Sequence, residues 1–145
     1  MKQEPTVAWY RKYGWAIPFA LGALLGLFGL GVIFMGTDPN DFESSTLVSW
    51  EAFTSASPEI AQYLNRVERL LGTITFGFGA WSAAVAYVYL KKGDRAAWRA
   101  MWLLPIVLAM AAIVFIVEEA VGLGSFYVGA LILALIGQGL SYPSI

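Results

Sequence analysis

The chain has 145 residues, of which 59% are hydrophobic and 13% charged, with a formal net charge of −1 and neither cysteine nor histidine. An ordinary soluble domain carries about 25% charged residues, so this balance marks an integral membrane protein and gives nucleic acid no basic field to bind. Without cysteine or histidine there is no thiol–disulfide relay, no Cys/His zinc site, no His-ligated haem and no imidazole acid–base chemistry.

The first uncharged stretch, 13–37, predicts a spanning helix over 13–36, because about 20 residues rising about 1.5 Å each cross about 30 Å of hydrocarbon. Its apolar run exceeds a signal-peptide core and no Ala-x-Ala site follows, so it reads as a retained anchor. The connection 37–57 opens on Asp38-Pro39, an N-cap followed by proline at the first helical position. Leu47, Trp50 and Phe53/Thr54 then recur at roughly helical spacing and predict a short helix lying at the outer membrane surface. Ser57-Pro58 is a second cap-and-proline signal. From there Ile60, Tyr63, Leu64, Val67, Leu71 and Ile74 keep one helical face apolar, predicting an unbroken helix over 58–90. At about 50 Å it stands several turns above the hydrocarbon.

Lys91-Lys92-Gly93-Asp94-Arg95 is a short turn with glycine where a helix C-cap belongs. It leads into a helix over 96–118, in which Pro105 should produce a kink near Met101 by depriving that carbonyl of its partner. Gly122, Gly124 and Ser125 form a tight turn before a last helix over 124–141. Backbone polar groups cannot stay unpaired in lipid, so all four segments should be helical. The predicted fold is a single all-α membrane domain, 1–145: an up-down-up-down bundle of four transmembrane helices with a long extracytoplasmic connection between the first two. Neither an internal repeat nor the inverted repeat of many transporters is visible.

Seven of the nine basic residues, Lys2, Arg11, Lys12, Lys91, Lys92, Arg95 and Arg99, fall at one set of span ends. Asp38, Asp41, Glu43, Glu51, Glu59, Glu68, Glu118 and Glu119 fall at the other. This asymmetry places both termini in the cytoplasm of a cell (inner or plasma) membrane. Trp9, Tyr10, Tyr13, Trp15, Tyr87, Tyr89, Trp98, Trp102, Tyr127 and Tyr142 sit at helix ends as interface anchors.

Small residues supply candidate packing faces: Gly22 and Gly26 as a GxxxG pair followed by Gly29, and Gly72, Thr75, Gly79, Ser82 and Ala86 along the second helix. They serve either packing within the bundle or a homodimer seam. Trp81 lies near the middle of the second helix, where a belt does not explain it; it is either a packed side chain or a contact for a pigment, quinone or sterol. At the outer edge Arg66, Glu68 and Arg69 should meet Glu118 and Glu119 at one depth. Helical rotation sets Glu68 on the packing face and Arg66 and Arg69 on the polar side. The cluster is either an ion-pair set tying helices two and three or, with Glu68, Trp81, Glu118 and Glu119, a ligand-binding carboxylate mouth.

Arg66 and Arg69 followed by Gly72, the turn from Lys91 to Trp98, and then Trp102 and Pro105 follow an order that resembles small four-helix integral membrane proteins of bacteria and archaea, loosely DoxX-like and many of unknown function. The resemblance covers about residues 15–140. It implies the four-helix fold and, by association, quinone-linked redox complexes; related sterol-isomerase-like proteins use polar residues in an internal pocket. The histidines that some relatives carry in their later helices are absent here, and no catalytic residue carries over.

These features favour a non-catalytic accessory or structural subunit of a larger membrane complex or homo-oligomer, with the lipid bilayer as its constant partner and no metal or required cofactor. A quinone-, sterol- or lipid-binding protein or enzyme is the alternative, with a bound quinone, pigment or lipid as its ligand. A small transporter comes third, because no acidic group lies in the first helix.

Overall fold

The computed structural model describes residues 13–117 and 121–142, the side chains of 121–123 excepted, and every regular element among them is helical. In chain order these are α1 Ala16–Met35, α2 Pro39–Thr46, α3 Trp50–Ala56, α4 Pro58–Val88, a 3-10 turn Leu90–Lys92, α5 Arg95–Ala100, α6 Leu103–Val117 and α7 Val121–Leu140. Three stretches are long and apolar enough to cross a membrane: Ala16–Met35, Pro58–Lys92 and Arg95–Val117. A shorter apolar helix, Gly124–Leu140, follows.

The helix ends have local causes. Asp38 caps α2 by accepting the Asn40 N–H at 2.9 Å, with Pro39 supplying a position that needs no donor. Asp94 caps α5 with one oxygen, Oδ1, accepting from Ala96 and Ala97 at 2.7 and 3.0 Å. Gly93 closes the 3-10 turn at φ 75°, in the left-handed region where glycine carries no Cβ penalty. Pro18 falls in the first turn of α1, where its missing N–H is one of the four without an intrahelical partner.

Two expectations need correction. The connection 37–57 holds two short helices, and the apolar series does not begin at Leu47. That residue ends α2 in the left-handed conformation (φ 58°), with its N–H on the Glu43 carbonyl, and is 92% exposed. The aromatic face is instead Phe42, Trp50 and Phe53, with ring centroids 4.8–5.8 Å apart and all three half-buried. Glu43 fixes the turn by accepting the Trp50 N–H at 3.0 Å. The helix expected over 96–118 is cut in two rather than kinked. Pro105 falls in the first turn of α6, and the Met101 carbonyl accepts the Leu104 N–H at 3.1 Å, a tighter turn that spares it from being orphaned.

The chain divides into two compact units: Leu24–Ala80, and the residues before and after it. Within Leu24–Ala80, α1 and α4 pair with their residue numbers running in opposite directions. Gly26 faces Gly79 and Ala80, Gly29 faces Gly72 and Phe76, and Gly36 faces Asn65 and Arg69. The closest approach is at Gly29 and Gly72. A Cβ on Gly29 would overlap the Phe76 backbone nitrogen, and one on Gly72 would lie 2.9 Å from both the Gly29 oxygen and the Ile33 nitrogen. At Gly26 a Cβ would meet nothing nearer than 3.6 Å. Of the expected packing residues Gly22, Gly26, Gly72 and Gly79, all four are buried, yet the tight contact belongs to Gly29 and Gly72.

In the other unit, α7 runs against the start of α1 and against α5 and α6. A Cβ on Gly14 would lie 2.6 Å from the Leu140 backbone carbon, and one on Gly137 would lie 2.9 Å from the side chains of Ile17 and Pro18. Phe115 stacks on Tyr127 with ring centroids 5.1 Å apart and planes 6° from parallel. Met101, Leu104 and Leu108 are the largest apolar side chains fully buried here, with Ser82 and Ala86 beside them in burial though not in size.

Gly29→Ala and Gly72→Ala should each destabilise the protein by about 1–3 kcal/mol, the usual cost of overpacking. Gly26→Ala should be neutral or stabilising by up to about 1 kcal/mol, because alanine is the better helix former. Thermal unfolding in one detergent checks the contrast.

Candidate functional site

No ionisable Asp, Glu, Lys or Arg falls within 13–37, 70–90, 100–117 or 121–145, so polar chemistry is confined to the ends of the apolar helices and to a few neutral side chains. Among the described residues no three His, Cys, Asp or Glu side chains converge as a metal site would require.

At the Gly36 end, α1 stops because Gly36 turns at φ 69°, with its N–H still on the Val32 carbonyl at 2.8 Å. The space left by its absent Cβ is filled by the Asn65 amide, whose Oδ1 accepts the Thr37 N–H at 3.2 Å. A Cβ there would also lie 3.3 Å from Arg69 Nε. Arg69 therefore reaches back toward the α1 terminus and is not confined to the polar side with Arg66. Asn65 was not singled out from sequence. Its signal was its place four residues after Ala61 and three before Glu68, on the series that continues through Gly72, Thr75 and Gly79.

Glu68 is half-buried on that same series, and Arg66 and Arg69 are exposed. Glu118 and Glu119 lie outside the described residues, and with them the expected ion pairs to Arg66 and Arg69. Trp81 is 38% exposed and lies thirteen residues beyond Glu68 on α4, about 20 Å along the helix. A single small headgroup cannot touch both.

At the other end of α4, the residues assemble more tightly. Trp15, Phe19 and Tyr87 meet with centroids 5.8–6.0 Å apart, and the Lys91 ammonium sits 5.0 Å from the Trp15 ring and 4.6 Å from the Tyr87 ring. Both distances suit a cation–π contact. Trp98 and Gln138 exchange hydrogen bonds. The indole N–H donates to the Gln138 carbonyl at 2.9 Å, and the Gln138 amide donates to the Trp98 carbonyl at 2.6 Å. Trp98 also packs edge-on against Tyr142 and Trp102, at 5.0 and 6.0 Å. Ser141 closes the end of α7 by donating to the Gly137 carbonyl at 2.6 Å.

Gln138 is 2% exposed and was not among the sequence candidates. It is the one amide side chain in α7, and that isolation in an apolar run was the available signal. Chemically, the arrangement ties α5 to the end of α7. Comparison with protein families, with characterised proteins and with solved structures gives no match to this chain.

Each bond runs from one side chain to the other residue's backbone, so Trp98→Phe and Gln138→Leu each delete one of them and should each destabilise the protein by about 0.6–1.7 kcal/mol, the scale of interhelical hydrogen bonds in membrane proteins. Unfolding free energies of the two single variants and the double variant measure it; additive losses are expected, and a variant that loses nothing would show its bond to be without weight.

Proposed function

We propose that this chain is a multi-pass membrane protein that serves as a non-catalytic accessory or structural subunit of a larger membrane complex. The observation that carries the proposal is the direction of its large side chains. Only 28%, 22% and 28% of an 18-residue apolar stretch in each of the three spans lies inside the protein, so most of each stretch is offered to lipid or to other helices. Leu24, Leu27, Phe28, Phe34 and Met35 of α1 all face outward, while its close contacts with α4 fall on Gly26, Gly29 and Gly36. Two of the buried polar side chains, Gln138 and Ser141, bond backbone carbonyls. In this reading α1, α4, α5 with α6, and α7 form an up-down-up-down bundle. The α2–α3 connection is extracytoplasmic and both termini are cytoplasmic, a reading that the distribution of basic residues supports.

Orientation is checked by cysteine accessibility. Ser55→Cys, on exposed α3, should react with an impermeant thiol reagent in intact cells, and Lys92→Cys only after permeabilisation. Lys92 is preferable to Gly93, whose φ of 75° penalises any side chain. The opposite pattern of labelling would reverse the topology.

The subunit role is checked by mild-detergent purification from the native membrane at native abundance. A stoichiometric partner, or an assembly of several copies, is the expected result. A stable lone monomer carrying a stoichiometric quinone or sterol would replace this reading with the ligand-binding one.

A further inference from the structure

The connection between α4 and α5 places four cations within nine residues, Lys91, Lys92, Arg95 and Arg99, against one carboxylate, Asp94, a net of +3 (4 − 1). The carboxylate is already engaged, since Asp94 Oδ1 accepts two backbone N–H bonds from α5. Lys91 is engaged too, held over the faces of Trp15 and Tyr87. That leaves Lys92, Arg95 and Arg99, all three exposed. Arg95 and Arg99 are one turn apart on α5, on the face opposite buried Ala97.

What surrounds these cations decides what they meet. Exposed apolar and aromatic surface begins directly beside them: Tyr87 and Tyr89 at the end of α4, and Trp102 and Leu103 after α5. Tyrosine and tryptophan in such a position seat at headgroup depth. A ligand with a phosphate at the cations and acyl chains along the neighbouring apolar surface would satisfy both halves of the rim. A free phosphate would use only the charges, and so would an acidic protein segment.

We propose that Lys92, Arg95 and Arg99 form a docking surface for the headgroups of anionic phospholipids. The proposal rests on the membrane-spanning reading above. That reading is tested separately: a chain released from membranes by alkaline carbonate without detergent would refute it, whatever its response to lipid.

The test uses the full chain in neutral detergent micelles, with thermal unfolding followed by tryptophan fluorescence. Phosphatidylglycerol is titrated against phosphatidylcholine of identical chains. At low salt phosphatidylglycerol should raise the unfolding temperature, and phosphatidylcholine should not. Neutralisation by Lys92→Gln, Arg95→Gln and Arg99→Gln should weaken the apparent affinity about fivefold per cation. The charge-preserving set Lys92→Arg, Arg95→Lys and Arg99→Lys should retain it. In 1 M salt, where screening acts over about 3 Å, the response should largely vanish.

Equal responses of the unmodified chain to the two lipids would overturn the proposal, and that comparison needs no variant to fold. So would an undiminished phosphatidylglycerol response in the neutralised variant. A full shift from glycerol phosphate alone would reassign the surface to a soluble phosphate, and one from an acidic peptide would reassign it to a protein partner.

Discussion

Helices in hydrocarbon gain nothing from hiding apolar side chains from one another, so they come together only where their surfaces fit closely. The contact between Gly29 and Gly72 is the clearest result of that constraint. Two backbones approach until neither residue has room for a methyl group, and every adjoining contact becomes short. Individual atom pairs contribute only about 0.1–0.2 kcal/mol, so closeness over a long seam has to supply the stability. On α4 the seam is long. Ala61, Asn65, Glu68, Gly72, Thr75, Gly79, Ser82 and Ala86 alternate spacings of four and three, and each is buried or half-buried. That average of about 3.6 residues is the period of the α-helix itself, so the series keeps to one face of α4. Large residues are excluded from the seam by the same closeness, and Leu70, Leu71, Ile74 and Phe76 of α4 are exposed.

Polar groups follow from the same environment. Thr73 and Thr75 donate to carbonyls four residues earlier, Arg69 and Leu71, so their hydroxyls are satisfied within their own helix. Gln138 cannot do this with its longer side chain and instead reaches the Trp98 backbone, which makes it a tie between elements forty residues apart. Ser82 Oγ and Thr37 Oγ1 are buried with no hydrogen-bond partner among the described residues. Each hydroxyl carries a desolvation cost of about 1–3 kcal/mol. Ser82 occupies a seam position where its small volume is what the packing requires.

The all-helical fold and its apolar spans were legible because charge-free length and backbone pairing leave few alternatives. The seam on α4 was legible from the spacing of Gly72, Thr75, Gly79, Ser82 and Ala86. Caps at Asp38 and Gly93 were legible because those residue types have specific backbone chemistry. The break at Leu47 was not, since a leucine in the left-handed region contradicts local preference and is held there by the turn that Glu43 and Thr46 fasten. Neither was the division at Met101. Proline announces a disturbed helix, but whether the chain bends or restarts depends on which N–H the stranded carbonyl finds. Gly29 was on the predicted face behind the Gly22 and Gly26 pair, but a GxxxG spacing identifies a face and not the residue at the crossing point. Of the outer cluster, Arg69 lies beside the Gly36 terminus, a proximity that helical rotation on α4 alone does not reveal.

The two ends of α4 illustrate how a chain without reactive groups in its spans can still distinguish its two sides. At one end an acidic connection folds on itself, with Phe42, Trp50 and Phe53 as its own small core and carboxylates such as Glu43 used to fix its turn. At the other end the single carboxylate is spent on capping α5, and the cations outnumber it. The basic end is also the braced one: Lys91 is held by two rings, and Trp98 and Gln138 grip each other through two hydrogen bonds. Charges placed on a braced frame keep a fixed depth, whereas charges on a mobile loop would follow whatever ion they meet. The contacts at this end therefore tie the basic residues to fixed positions along α4 and α5. Under the proposed topology, that is the condition under which electrostatic asymmetry can orient a protein whose charges gather at the ends of its apolar helices.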